Sequence, residues 1–276
     1  MRNKATRFIL LLLITLLGNA AHAQRAYDLA EVLKRGQIRF AFYNEFPPYS
    51  DDGKGIDVEL AQALAGKLGV RMSPIWFDAD ENMEDDLRNM VWKGHILGIG
   101  PADAMMHVPV DAAYMAKVDK VKFFAPYYRE RFGMARNVER IPAGDSMEPF
   151  VKEKIGVEGG SLPDTVLLSA DAGRYRANII HFMTAEEAIA ALKSGQVAAV
   201  MAQQGELEAG LLGNKAFAVG PPPLPLLNIR QWALGVGVKA EHEDLAKALQ
   251  KAMNELVAEG KVSGIFAKYG VQYRAP

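Results

Sequence analysis

Most of the motifs that carry covalent or metal chemistry are missing from this sequence. The chain has no Cys, no Gly-x-Ser-x-Gly nucleophile turn, no His-Glu-x-x-His metal motif and no glycine loop of the kind that cradles phosphate. The acidic run from Asp78 to Asp86 lacks the Asp-x-Asp-x-Asp-Gly order of a calcium loop and is more typical of a solvated helix start. We therefore predict a protein that binds rather than catalyses, with no metal and no cofactor.

The residues best suited to contact a ligand lie on a loop between a strand and a helix. Segment 37–43 is dense in strand formers, Pro47-Pro48 cannot continue a strand ladder, and residues 56–70 have a mostly helical apolar spacing. In open α/β sheets, ligands bind outside the carboxyl ends of the strands, where an aromatic ring can stack on a planar ligand. Core packing against Pro47 is the alternative. The candidates on this loop are Tyr43, Asn44, Phe46 and Tyr49.

A second candidate region is a helix start in the middle of the chain. A predicted strand at 154–157 leads into the turn 158–160, and Ser161 then caps a helix. Free N–H groups and the helix dipole make such an end suitable for an anion, whereas an ordinary helix cap is the alternative. Gly160 and Ser161 are therefore candidate ligand contacts.

Strand and helix signals alternate in two successive series. The first series has predicted strands at 38–43, 71–77 and 95–99 and helices at 28–35, 56–68 and 84–93. Segment 123–128 then leads into a strand at 132–135 that leaves the first lobe. The second has strands at 154–157, 179–182 and 197–202 and helices from Ser161, from Thr184 and at 207–212. After a proline-rich break at 221–225 come a strand at 231–238 and helices at 244–258 and 262–269. Residues 101–122 have no clear period. This order predicts an α/β protein.

The first 23 residues are typical of a secretion signal. A basic start precedes the apolar run 8–17, and residues 21–23 form a small-x-small cleavage site. The run is shorter than the roughly 20 residues that a membrane span needs, so we predict no stable membrane insertion. No Cys follows the cleavage site to carry a lipid. We expect the mature protein to begin at Gln24 and to reside in the periplasm.

Charge and length narrow the class of partner. Removing the first 23 residues takes away three basic groups, so the formal net charge moves from −1 to −4. A protein without a basic face is poorly suited to bind phosphate backbones, and we predict no nucleic-acid partner. The roughly 250 remaining residues suffice for one large or two small domains.

Seven features in a fixed order resemble a known family. They are the signal peptide, FPPYS, GIDVELAQALAGKLGV, APYY at 125–128, KIGVEGGS at 154–161, AEEAIAALKSGQVAAV at 185–200 and the terminal LAKALQKAMNELVAEGKVSGIFAKYG. Together they resemble the family 3 bacterial extracellular solute-binding proteins over nearly all of the mature chain. The resemblance implies a protein that captures a small organic solute and presents it to an ABC permease, and we expect a monomer.

The same resemblance implies a type II, two-lobe periplasmic-binding-protein-like fold. Each lobe would be a mostly parallel sheet flanked by helices, with the ligand in an interlobe cleft that closes by hinge motion. Lobe 1 would be discontinuous, made of residues 24–128 and 229–276, and lobe 2 would be 129–228. Two crossing hinge strands would lie near 129–135 and 227–232.

This chain departs from the family where other members hold an α-amino acid. Those members bind the α-carboxylate with an Arg after the first lobe's third strand and the ammonium with an Asp of the second lobe, because a desolvated zwitterion needs fixed opposite charges. Here no Arg lies between Gly94 and Tyr128, and the expected acid falls near Gln203. We therefore predict a ligand other than an ordinary α-amino acid.

Other polar residues remain as candidates at these positions. Asp103 and His107 flank the expected first-lobe wall, although a lone His is more often a core or solvated residue. Gln203 suits a ligand with a neutral hydroxyl or amide group. The alternative is that Gln203 is a solvated residue at the end of a strand. Segment 110–122 is longer than the usual spacing in the family. The basic residues in or near it are His107, Lys117, Lys120 and Lys122.

Two other functions remain open. Relatives of this architecture are associated with periplasmic quinoprotein alcohol dehydrogenases, and loss of both charged positions fits a non-transport accessory protein of such an enzyme. A periplasmic dehydratase also uses the fold, with Glu45, Glu158 or His107 as a possible acid. The missing Arg for a substrate carboxylate weakens that alternative.

Overall fold

The computed structural model describes residues 27–224 and 231–276. The predicted secretion signal and residues 227–230 of the predicted second crossing lie outside this described part. Within it, no helix is long and apolar enough to cross a membrane.

Nine strands and nine α-helices follow one another in the described residues. The strands are β1 (Gln37–Tyr43), β2 (Arg71–Phe77), β3 (Ala104–Pro109), β4 (Val121–Asn137), β5 (Ile155–Glu158), β6 (Ile179–Phe182), β7 (Ala199–Gln203), β8 (Phe217–Gly220) and β9 (Gln231–Lys239). The helices are α1 (Leu29–Arg35), α2 (Ile56–Lys67), α3 (Met83–Leu87), α4 (Ala112–Met115), α5 (Leu162–Ser169), α6 (Ala185–Lys193), α7 (Gln204–Gly210), α8 (Glu243–Ala258) and α9 (Lys261–Lys268).

The strands form two sheets. The first has the order β2-β1-β3-β9-β4, in which β1 is parallel to β2 and β3 while β9 is antiparallel to β3 and β4. The second has the order β8-β4-β7-β5-β6, in which β5 is parallel to β6 and β7 while β4 is antiparallel to β7 and β8. The molecule is therefore the mixed α/β, two-lobe structure that the sequence predicts.

One strand belongs to both sheets. The amino-terminal part of β4 pairs with β9 as far as Arg131, which faces Gln231. The next residue, Phe132, pairs with Gln203 of β7 in the second sheet. The chain thus passes from one lobe to the other within a single extended segment, inside the predicted crossing at 129–135.

Helices cover both faces of the first sheet because β1 is apolar on both sides. Phe40 and Phe42 lie in one core cluster with α2, α8 and α9. Ala41, between them in sequence, lies in a second cluster with Leu87 and with Met90 of the π-helical turn that follows α3. Successive residues of a strand point to opposite faces, so a continuous apolar run is what a sheet covered on both faces requires.

Local capping signals are borne out in the structure. Asp28 accepts a hydrogen bond from the Glu31 N–H and begins α1, and Gly36, with φ of 66°, ends it. Ser161 caps α5 through the Asp164 N–H, and Thr184 caps α6 through the Glu187 N–H. Short polar side chains at these positions satisfy amide groups that the first helical turn leaves unpaired.

The predicted strand at 95–99 is wrong. These residues form a tight turn, in which the His95 N–H donates to the Ile99 carbonyl at 2.8 Å and the Gly98 N–H donates to the His95 carbonyl at 2.9 Å. Gly98 has φ of 79°, a left-handed conformation that interrupts a ladder. The turn exposes Ile96 and Leu97, which are 94% and 77% accessible.

Three other segments differ from what the sequence predicts. Residues 101–122 contain β3 and α4, and the five residues 104–108 of β3 are all buried, so no alternation of polar and apolar residues marks that strand. Segment 123–128 and the strand predicted at 132–135 belong to one longer strand, β4. The helix predicted at 207–212 starts at Gln204, where the Glu206 carboxylate accepts the Gln203 N–H at 3.0 Å.

The lobes meet at the start of α7. A Cβ on Gly205 would overlap the Tyr49 hydroxyl and lie 3.0 Å from the Glu130 carboxylate. Two residues that follow α9 contact the same helix. The Glu208 carboxylate of α7 pairs with Arg274 and accepts the Gln272 N–H at 2.9 Å. The contacts of Gly205 and Glu208 together place α7 at the base of the space between the sheets.

Replacing Gly205 with Ala is expected to destabilise the protein by about 1–3 kcal/mol, because the added methyl group has no room beside the buried Tyr49 hydroxyl. Gly264→Ala is the matched control. Gly264 lies inside α9 with open space around its Cα, so the same change there should stabilise by roughly 0.5–1 kcal/mol. Urea unfolding of both variants measures the difference, and equal effects at the two sites would contradict the close packing of α7.

Candidate functional site

A cavity of about 1000 Å³ lies between the two lobes. Its first-lobe wall includes Tyr43, Asn44, Phe46, His107, Asp111 and Tyr114, and its second-lobe wall includes Glu158, Ser161, Gln203 and Glu206. Phe132 and Trp232, next to the crossing point, line its base, with ring centroids 4.8 Å apart. The cavity is large enough for a small organic molecule and is bounded by residues from both sheets.

Six of the nine predicted ligand contacts line this cavity. They are Tyr43, Asn44, Phe46, His107, Ser161 and Gln203. Their positions follow from the parallel arrangement of β1 and β3, and of β5 and β7, whose carboxyl ends all open on the cleft. The other three, Tyr49, Asp103 and Gly160, have different roles in the structure.

Asp103 is a structural residue rather than part of the cleft wall. It is fully buried before the first residue of β3, whereas the cleft lies at the other end of that strand. Its carboxylate accepts the Arg39 N–H at 2.7 Å and pairs with the guanidinium of Arg39 at 3.0 Å and with Arg35. The prediction that Asp103 contacts a ligand is therefore not supported by its position.

Tyr49 lies behind the first wall instead of on it. It is fully buried, and its hydroxyl donates a hydrogen bond to the Glu130 carboxylate. Burial, together with the charge of Glu130, raises the pKa of Tyr49 well above its ordinary value. Its ring packs on His107, with centroids 4.4 Å apart, so Tyr49 supports a cleft residue without lining the cavity.

His107 is held in place by a buried network. Its Nδ1 lies 2.8 Å from one oxygen of Asp57, and the other oxygen accepts the Tyr127 hydroxyl at 2.6 Å. The backbone of His107 has φ of 61°, an unusual conformation for a residue with a side chain. Because Asp57 engages Nδ1, Nε2 is the ring nitrogen that remains for a ligand.

The predicted anion site at the start of α5 is filled by the chain itself. The Gly160 N–H donates to the Asp164 carboxylate at 2.9 Å, and the Gly159 N–H donates to the Phe182 carbonyl at 3.0 Å. The Ser161 N–H donates to the Glu158 carbonyl at 3.3 Å. A ligand anion would have to displace these partners, so Gly160 has no N–H to offer.

Among the described residues, the charged side chains on the cavity wall are acidic. They are Glu45, Asp111, Glu158, Glu186 and Glu206. Among the described residues that line the cavity, none is Lys or Arg. Lys120 and Lys122, expected as substitute bases, instead pair with Asp119 and Glu243. Within the described residues, no group of three or more His, Cys, Asp or Glu side chains could hold a metal ion.

Glu206 is the most perturbed of these acids. Burial raises its pKa well above the ordinary 4.5, and the nearby charges of Glu158 and Glu130 raise it further. Burial also raises the pKa of Glu158. On the opposite wall, the Tyr114 hydroxyl is buried without a hydrogen-bond partner, and burial raises its pKa to about 12.

Solved structures are similar to this one over most of the chain. An ancestral cationic-amino-acid solute-binding protein has a TM-score of 0.68 and 20% identity, with 88% of this chain and 99% of that one covered. An amino-acid ABC transporter substrate-binding protein from Streptococcus pneumoniae, bound to L-arginine, has a TM-score of 0.64 and 18% identity, with 88% and 97% covered. The chain has the two-lobe fold of solute-binding proteins.

A third similar structure is an ABC uptake transporter substrate-binding protein from Streptococcus pneumoniae with bound histidine. It has a TM-score of 0.63 and 17% identity, and the match covers 89% of this chain and 98% of that one. No protein-family model and no curated protein sequence matches the chain.

Sequence reasoning missed Glu206 as a cleft residue and considered Glu158 only as a possible catalytic acid. A signal for Glu206 is present, because Gln203 and Glu206 have the spacing of a capping pair directly after a buried strand. Asp111 was also missed. It caps the short helix α4 through the Tyr114 N–H, in a segment without a readable period.

Replacing Glu206 with Gln is expected to stabilise the protein at neutral pH. The folded state holds the pKa of Glu206 above its ordinary 4.5, so the wild-type protein loses stability as pH rises from that value through the raised one. Gln remains neutral and avoids this loss. We expect a melting temperature a few degrees higher at about pH 8 and unchanged at about pH 4.

Thermal melts across this pH range measure the effect. Glu139→Gln, at an exposed position, removes the same formal charge and is the control. A gain of equal size at both ends of the pH range would contradict the buried, perturbed state of the Glu206 carboxyl.

Proposed function

We propose that this protein is a periplasmic solute-binding protein that captures a small organic solute between its lobes and presents it to an ABC permease. The observation that carries the proposal is a cavity that is lined from both sheets, with β4 running between those sheets beside it. A solute that touches both walls favours the closed arrangement of the lobes, and a permease can distinguish closed from open. The fold shared with solute-binding proteins supports this function.

We further propose that the solute is not an ordinary α-amino acid. A carboxylate removed from water needs a charged partner or several directed N–H groups. No Lys or Arg is present among the described lining residues, and the N–H groups of Gly159, Gly160 and Ser161, just before α5, already have partners. The amino acids named for the similar structures therefore do not carry over to this chain. A dehydratase with a carboxylate substrate is disfavoured on the same grounds.

The proposed organisation keeps the predicted boundaries. Lobe 1 would comprise residues 24–128 and 229–276 and lobe 2 residues 129–228, with secretion directed by residues 1–23. The pairing of β4 and β9 at Arg131 and Gln231, next to these limits, supports the division. We propose that the protein is a monomer, since both walls of the cleft come from one chain.

A thermal-shift screen of the purified mature protein against a library of small solutes tests the binding function. At millimolar solute, a ligand with a dissociation constant near 10 μM should stabilise the folded state by roughly 2.7 kcal/mol, which is a shift of several degrees. α-Amino acids are expected to give no shift. The binding proposal fails if no solute in the library raises the melting temperature.

A second candidate function is an accessory protein of a periplasmic quinoprotein alcohol dehydrogenase. The turn at 95–99 favours it, because the hydrogen-bonded turn holds Ile96 and Leu97 out in solvent away from the cleft. Exposed apolar side chains on an ordered turn are typical of protein contacts, although this pair is smaller than a full interface.

Affinity capture from periplasm, with mass spectrometry of the captured proteins, distinguishes the two functions. If the accessory function is correct, a quinoprotein dehydrogenase is recovered, and the Ile96→Ser, Leu97→Ser double variant loses it. Met183→Ser, a change at another apolar residue that is 82% accessible, should retain it. Recovery of permease subunits instead, or equal capture by all three proteins, would count against this candidate.

A further inference from the structure

The acidic side chains of the cleft fall into two groups. Glu45, Asp111 and Glu186 are exposed at its rim, whereas Glu206 is 8% accessible and Glu158 is partly buried. A cleft lined by charges of one sign focuses the electric field and attracts counterions. The electric field of these acidic side chains therefore attracts a positively charged molecule.

Glu206 supplies a second and independent observation. One of its carboxylate oxygens accepts the Gln203 N–H at 3.0 Å, while no described residue donates to the other. The side chain is more than nine-tenths buried and lines the cavity. That second oxygen is not sealed from solvent, so it can accept a hydrogen bond from a ligand in the cavity.

The neighbours of Glu206 do not supply that partner. The charged groups that act on it are Glu158 at the end of β5 and Glu130 on β4, both also acidic. The Tyr49 hydroxyl donates a hydrogen bond to Glu130. Glu158 and Glu206 both line the cavity, and none of the described lining residues is Lys or Arg. Two carboxyl groups that repel each other are a suitable site for a cation placed between them.

Aromatic rings complete the walls. Tyr43 and Phe46 meet edge to face, with centroids 5.9 Å apart, on the first lobe. Phe132 and Trp232 are paired at the base. The faces of such rings attract ammonium and guanidinium groups, and the rings also cover the carbon skeleton of a ligand.

We propose that the cleft binds an organic cation without a carboxylate, with one amine or guanidine nitrogen between Glu158 and Glu206 and its carbon chain against the aromatic walls. Glu45 and Asp111 on the opposite wall suit a second positive group, so a diamine or guanidino-amine is the favoured class. This inference rests on the proposed solute-binding function and specifies its ligand.

Such a cation places a positive charge beside the buried Glu206 carboxyl, whose pKa burial raises. The rim acids add a long-range attraction, so affinity should fall as salt rises. A neutral polyol would gain neither effect.

Titration calorimetry of the full mature chain with three matched probes tests the inference. 1,4-Diaminobutane carries two positive charges, 1,4-butanediol has the same skeleton without charge, and 4-aminobutanoate exchanges one amine for a carboxylate. Agmatine is the guanidino-amine probe. We expect binding of the diamine or of agmatine, weakening with salt, at least about tenfold tighter than that of the diol or the amino acid.

Two variants localise the site. Glu206→Gln and Glu158→Gln should each weaken binding of the cationic probe by about tenfold or more, while Glu139→Gln should leave it unchanged. Glu206→Gln keeps an oxygen that can accept the Gln203 N–H, and circular dichroism of both variants verifies folding. Glu158→Gln, at a less buried position, provides the test if the first variant does not fold.

The outcomes separate this inference from the function on which it rests. If the diol or other neutral or anionic solutes bind and the cations do not, the cation inference is overturned while solute binding stands. If cations bind but neither glutamate variant weakens them, the assigned site is wrong. If no solute of any charge binds, the proposed solute-binding function fails as well.

Discussion

The structure depends on one strand that two sheets share. Because β4 pairs with β9 up to Arg131 and with β7 from Phe132 onward, the positions of the two lobes are coupled through a continuous backbone. The same strand carries Glu130 at the junction, where the Tyr49 hydroxyl reaches it. The cleft is therefore the space that remains when two sheets are built on one strand.

The buried carboxylates differ in which groups pair with them or donate hydrogen bonds to them. Asp103 has the guanidinium of Arg39, and Asp57 has His107 and Tyr127, so both stabilise the architecture. Glu206, on the cleft wall, has one oxygen that accepts the Gln203 N–H and one to which no described residue donates. A side chain that the fold leaves incompletely paired, in a cavity, is where a ligand has the most to contribute.

The sequence predicts features with local causes, and it fails where the cause is distant. Asp28 and Ser161 mark helix starts because each bonds to an amide three residues away. The strand at 104–109 has no visible period because neighbouring strands and helices bury it on both faces. Asp103 was assigned to the cleft because the sequence shows neither the strand that follows it at 104–109 nor that Arg39 is near it. Glu206 was missed for a similar reason, since its significance comes from Glu158, which is remote in sequence.

The placement of β9 has a consequence for how the molecule is made. This strand lies between β3 and β4 in the interior of the first sheet, yet it begins only at residue 231. A growing chain that has already produced β1 to β4 has an open position in that sheet until residues 231–239 are made. Unpaired strand edges favour aggregation, so the first lobe has edges prone to aggregation until β9 pairs with β3 and β4.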